Sequence, residues 1–210
     1  IRCNYRIIDE KTILREGLTY SDRYNNKNAI ISRIIADRGW NSIWCTLVKR
    51  EVYNCNPIEY TKNSMLEDMF VVLQLLTYST KIGVLSEILY NYYYNPNSIS
   101  KNQTTQAVLN RAQSAYDNIR LMTQFIEKNY DIQNLEEEMI VLLSHPRRIL
   151  IPTLSDRHNY KLWNRYYKEL KLKPLYCKYL AKRVKIQYAI AFFHLYPLLS
   201  IFKRYYFRYK

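Results

Sequence analysis

A chain of 210 residues with 48% hydrophobic residues and only three glycines is long enough to bury a core and too apolar to be disordered. Its four cysteines, Cys3, Cys45, Cys55 and Cys177, show neither CxxC nor Cys/His ligand spacing. That argues against a zinc fold and for free thiols in a reducing compartment. The net charge of +14 is uneven: residues 171–210 carry ten Lys or Arg and no acidic residue, which leaves +4 for the first 170. The body therefore has an ordinary surface, and the tail calls for an anionic partner.

The first elements are extended. Ile1 to Ile8 reads as a strand, and the polar turn Asp9-Glu10-Lys11 leads to a second extended piece. A loop over Tyr20–Asn28 precedes a helix over Lys27–Asp37, whose apolar face is Ile30, Ile31, Ile34 and Ile35, with Gly39 placed for a C-terminal cap. Trp40 to Tyr53 is a mixed stretch with a basic pair, Lys49-Arg50, and Asn54 to Asn63 is a loop.

The organising stretch follows. Ser64 and Glu67 have the spacing of a capping box, and Asp68 falls in the first turn of an apolar helix running to about Thr77. Helix capping accounts for such a pattern by itself; chemistry at Asp68 is the alternative that its neighbours must decide. Two strands are then predicted, over Lys81–Leu85 and Ile88–Tyr94, the second with Tyr90, Tyr92 and Tyr94 on one face before the turn Asn95-Pro96-Asn97-Ser98.

From Thr104 the pattern is helical alone. Ala107–Lys128 carries Val108, Ala112, Ala115, Ile119, Met122 and Ile126 at helical spacing. Asn134–Leu150 opens with three glutamates and ends near Arg147-Arg148, charges that suit the helix dipole, and Pro146 should kink or divide it. Two more helices are predicted over Asn159–Leu172 and Leu175–Tyr188, separated by Pro174.

Residues 1–101 resemble the second half of the catalytic domain of bacterial family-2 glycosyltransferases, which have the GT-A fold. Five pieces carry the likeness, in order: Trp44-Cys45-Thr46-Leu47 with Lys49-Arg50; Glu67-Asp68; Lys81-Ile82; Leu89-Tyr90-Asn91-Tyr92; and Asn97-Ser98-Ile99-Ser100. The resemblance implies a partial GT-A-like mixed sheet with helices over 1–101, then an all-helical region over 102–210. It implies an inverting transfer of a sugar from a nucleotide-sugar donor to a glycan or lipid-linked acceptor in cell-surface polysaccharide synthesis. Asp68 would be the general base and Glu67 would position the acceptor or cap the helix, with Trp44, Asn97 and Ser98 lining the pocket.

The family's nucleotide-binding half and its Asp-x-Asp ligands for Mn²⁺ or Mg²⁺ have no counterpart in this sequence. Since it also opens at Ile1 without an initiator Met, it is read as the acceptor-side part of a longer enzyme, inactive alone. Two departures stand out: Cys45-Thr46 where the family has Asn-Lys, and Tyr93 where it often has Arg. They keep open a second reading, a non-catalytic relative that binds a glycan or a membrane.

The end of the chain has its own pattern. Ala189 to Phe202 is a fourteen-residue apolar run, too short to span a bilayer, flanked by basic and aromatic residues. It reads as a helix lying in the headgroup region of an anionic leaflet, with Phe192, Phe193, Lys203, Arg204 and Arg208 touching the membrane. This places the protein in the cytoplasm, peripheral at the inner face of the cell membrane. A packed helix with a basic end is the plainer alternative. A nucleic-acid partner is not expected, because no recognised binding motif accompanies the charge.

Overall fold

The computed structural model describes residues 1–9, 12–17, 26–37, 41–63, 65–96, 98 and 101–195. Among the described residues the chain is mixed α/β, with one three-stranded sheet and eight α-helices. Strands β1 (Arg2–Asp9) and β2 (Thr12–Gly17) form an antiparallel hairpin, and β3 (Val84–Tyr93) lies parallel to β1, giving the order β2-β1-β3. Parallel pairing needs a crossover, and α1 (Lys27–Ile35), α2 (Arg50–Asn54) and α3 (Glu67–Tyr78) supply it.

The crossover folds because its apolar positions coincide. Ile30, Ile31, Ile34 and Ile35 on α1 meet Met69, Phe70, Val72, Leu73 and Leu76 on α3. Lys27 reaches the far end of α3, where its Nζ donates to the carbonyls of Thr77 and Ser79, both at 2.7 Å. A cation there suits the negative end of the helix dipole. Ile119, Met122 and Ile126 of α4 (Thr105–Asn129) and Met139 and Leu142 of α5 (Glu136–Leu150) complete the same core. A single apolar cluster therefore runs from the crossover helices into α4 and α5.

A second cluster gathers Ala112, Leu150, Leu154, Trp163, Tyr166, Tyr188 and Ala191. It binds α6 (Arg157–Arg165) and α8 (Lys182–Phe192) to α4 and α5, with the four-residue α7 (Lys173–Tyr176) between them.

Several elements depart from the sequence reading. The two strands predicted over 81–85 and 88–94 are one strand, because β3 bulges opposite Asn4 instead of breaking. Asn4 Nδ2 donates to Ser86 O at 2.7 Å across that irregularity and keeps the pairing continuous. Pro146 does not divide α5. Ser144 Oγ and Arg148 Nη2 both donate to Val141 O, one residue before the Leu142 carbonyl that Pro146 leaves without its i+4 donor.

The helix predicted over 159–172 ends at Arg165, since Tyr167 and Lys171 adopt positive φ and leave a single 3₁₀ turn between them. That predicted over 175–188 becomes α7 and α8. Pro174 sits in the first turn of α7, where a missing N–H costs nothing, and the real break spans 177–181. There Lys178 N donates to Glu137 Oε2 at 2.8 Å and pins the turn to the start of α5. Gly39, and the apolar run from residue 196 onward, lie outside the described residues.

Candidate functional site

Asp68 and Trp44 come together through one peptide. The segment from Asn41 to Cys45 runs into a single 3₁₀ turn, Ile43–Cys45, which needs its leading N–H groups satisfied. Asp68 Oδ2 accepts the Ile43 N–H at 3.3 Å. The carboxylate at the head of α3 thus caps the turn that carries Trp44, and Asp68 is half-buried. Its other oxygen, Oδ1, accepts no hydrogen bond among the described residues.

Trp44 lies over the even-numbered face of β3. Its ring stacks on Tyr90 with centroids 4.5 Å apart, lies 5.4 Å from Tyr92, and meets Tyr5 edge-on at 4.9 Å. Tyr94 is not part of this group: it lies beyond the end of β3, and Lys101 Nζ sits 3.1 Å from the centre of its ring.

The start of α3 is not the capping box that the sequence predicted. The helix begins at Glu67 and its cap position is Leu66, so Glu67 is the first helical residue and cannot play the third-residue role a capping box requires. Ser64 lies outside the described residues. Leu66 has φ 67° and ψ 15°, a left-handed conformation uncommon for a branched side chain. Asn118, fully buried on α4, holds the approach to it: Nδ2 donates to Met65 O at 2.7 Å, and Oδ1 accepts from Asn63 Nδ2 at 3.2 Å. A buried amide thus fixes the strained turn that aims Glu67 and Asp68.

A second polar group stands behind Asn41. Asn41 Nδ2 donates to Asp37 Oδ1 at 2.8 Å and lies 3.6 Å from Met69 Sδ. Asp37 Oδ2 is 3.7 Å from His145 Nδ1 and 3.8 Å from Arg148 Nη2, both on α5. Burial pushes the Asp37 carboxyl above the usual carboxylate range, against the pull of Arg148 and Asn41. Burial, and after it the Arg148 charge, push His145 down to about 3.

The remaining predicted residues lie elsewhere. Ser98 is in the turn after β3, where its N–H donates to Asn95 O and its carbonyl accepts from Lys101. Phe192 and Phe193 end α8, with Phe193 more than half exposed. Asn97, Lys203, Arg204 and Arg208 lie outside the described residues. Cys45, one of the two departures from the family pattern, is core: it is buried, and Arg2 Nη2 donates to its sulfur at 3.5 Å. All four cysteines are free thiols.

Asn41, Asn118 and the Asp37–His145–Arg148 group were missed in the sequence. Asn118 did leave a signal, a polar residue inside the otherwise apolar stripe of α4; the others had none, because their partners are distant in the chain.

No family model, no curated protein and no solved structure matches this chain. Among the described residues no three His, Cys, Asp or Glu side chains are grouped to hold a metal ion, and no helix is long and apolar enough to cross a membrane.

Proposed function

We propose that residues 1–101 are the acceptor-side part of an inverting glycosyltransferase of the family-2 type, and that the helical end of the chain brings it to an anionic membrane surface on the cytoplasmic side. One observation carries the catalytic reading: a carboxylate with one free oxygen is tied through Ile43 to a tryptophan that stacks on Tyr90 and contacts Tyr92. Aromatic rings suit the apolar faces of sugar rings, and a half-buried carboxylate suits proton removal.

In the proposed step the acceptor hydroxyl oxygen forms a bond to the anomeric carbon of the donor sugar. The bond from that carbon to the diphosphate oxygen breaks on the opposite side, and the electron pair leaves with the nucleoside diphosphate. The acceptor's proton goes to Asp68 Oδ1. Oδ2 stays bonded to Ile43 N–H, which holds the carboxylate in place. The described residues do not supply a ligand set for the Mn²⁺ or Mg²⁺ that the family resemblance implies, and no step above passes through a metal.

The test uses the protein produced from its full reading frame, incubated with a panel of nucleotide-sugars and with oligosaccharide and lipid-linked acceptors. Release of nucleoside diphosphate that depends on acceptor is the expected result. Saturable acceptor binding without release from any donor would favour the non-catalytic relative instead. Absence of both acceptor-dependent release and acceptor binding would overturn the glycosyltransferase reading.

A further inference from the structure

An open cleft of about 480 Å³ lies between the start of α6 and the end of α8, lined by Ser155, Arg157, Tyr160, Lys161, Asn164 and His194 together with Leu154. Arg157 and Lys161 stand one helical turn apart, so they share a face of α6. Neither forms an ion pair or hydrogen bond with the described residues. The nearby carboxylate of Asp156 is engaged as the cap of α6, accepting His158 N–H at 2.6 Å.

A third cation backs the same wall. Arg147 is 2% exposed, and its guanidinium donates only to neutral groups: Tyr166 O, Asn164 O and Tyr188 Oη. It also lies 4.4 Å from the Trp163 ring. No acidic side chain among the described residues pairs with it. A buried charge in low-dielectric surroundings is weakly screened, and Asn164, whose backbone carbonyl accepts from Arg147, is itself a lining residue of the cleft.

The other wall is made by Tyr160 and His194, hydrogen-bonded side chain to side chain with ring centres 4.4 Å apart. Beside His194 the apolar side chains of Phe193 and Leu195 are about half exposed. Cationic side chains, hydroxyls and an amide around an opening, with exposed apolar side chains flanking His194 in the chain, match a phosphate presented from an apolar support.

We propose that this cleft binds a phosphate group, with Arg157 and Lys161 as the charged contacts and Ser155 as the hydroxyl donor. The phosphate comes from a lipid headgroup or from a soluble phosphate ester. Only the lipid source rests on the membrane reading above; the site itself rests on the cleft.

The experiment titrates the protein with inorganic phosphate and with glycerol phosphate by calorimetry, and measures cosedimentation with phosphatidylcholine vesicles with and without phosphatidic acid. Saturable one-to-one phosphate binding is expected. Arg157→Gln with Lys161→Gln should weaken it at least tenfold at unchanged thermal midpoint, while Arg157→Lys with Lys161→Arg should retain it. Vesicle binding that glycerol phosphate competes away would assign the lipid source. Phosphate binding without vesicle binding would assign the soluble ester, removing the membrane reading but not the site. Absence of saturable phosphate binding, or equal binding by the double Gln variant, would overturn the site. If vesicles still bound in that case and Lys203→Gln, Arg204→Gln and Arg208→Gln abolished it, the membrane reading would stand without the cleft.

Discussion

Arg148 Nη2 donates to His145 Nδ1 across 2.8 Å, and because a guanidinium has no acceptor, this bond requires an unprotonated Nδ1. The ring is therefore neutral, with its proton on Nε2. The arrangement locks α5 to the end of α1, since Asp37 stands within 4 Å of both side chains. Adding a proton to His145 would set an N–H against a cation in a mostly buried site.

Acid sensitivity follows from this. An unfolded histidine titrates near 6.5, while burial and Arg148 hold the folded one down to about 3. The unfolded chain binds this proton first, so the stability contributed by neutral His145 is full above about pH 6.5 and drains away toward pH 3. Asp37 has the opposite sign: its folded carboxyl is raised by burial, takes up a proton before the unfolded one, and offsets part of the loss at the acid end. The thermal midpoint should fall between pH 7.5 and pH 5. His145→Asn, whose Oδ1 can still accept from Arg148, should flatten that slope. Parallel slopes for the two proteins would assign the acid loss to other groups.

Gln74 gives a second prediction. It is buried in the middle of α3, and its amide pairs with a peptide of the preceding loop: Oε1 accepts Glu59 N–H at 2.8 Å and Nε2 donates to Glu59 O at 2.9 Å. Gln74→Leu keeps the volume and the apolar surroundings but orphans a backbone donor and acceptor. Each such group costs about 1–3 kcal/mol when buried. Because Glu59 is exposed and its peptide only partly buried, a drop of about 1–2 kcal/mol in urea denaturation is expected, with an unchanged denaturant slope. A neutral result would mean that the loop lets water reach Glu59.

The approach to Asp68 gives a third. Asn118→Ala removes the two bonds that hold Asn63 and Met65, and with them the support for left-handed Leu66. Global stability should fall by about 1–3 kcal/mol. Amide hydrogen exchange should rise first in residues 65–70, ahead of the rest of α3, because the strained turn opens locally. Uniform acceleration along α3 would show that Asn118 only packs.

How far the sequence carried the fold depended on periodicity. The isoleucine face of α1, the long stripe of α4 and the hairpin β1–β2 were legible, since each is set by its own residues. Three features were not. The merger of two predicted strands into β3 depends on Asn4, some eighty residues away. The survival of α5 past Pro146 goes with tertiary packing, since Met139 and Leu142 before the proline and Leu150 after it are all buried in the core. The early end of α6 goes with extended Tyr166 and left-handed Tyr167, where no glycine announces the turn. At the candidate site, Glu67-Asp68 and Trp44 were readable as neighbours of suitable chemistry, but the peptide of Ile43 that joins them was not. The reading of Arg147-Arg148 as dipole charges missed that Arg147 is buried and that Arg148 is tied to Asp37 and His145.

The last prediction separates the two duties of Asp68. One is structural, accepting the Ile43 N–H; the other, in the proposed chemistry, is taking a proton on Oδ1. Asp68→Asn keeps an oxygen acceptor for Ile43 and the same size, so its thermal midpoint and its acceptor binding should stay near wild type. It cannot take the proton, so turnover in the full-frame protein should fall on the order of 10²-fold or more with little change in KM. Asp68→Ala loses both duties and should cost a further 1 kcal/mol or so of stability, as lost caps do. Trp44→Ala should act differently, raising KM for the acceptor by removing a stacking surface while leaving Asp68 anchored. Full turnover in Asp68→Asn at saturating acceptor would remove Asp68 as the base and leave it the cap of a 3₁₀ turn.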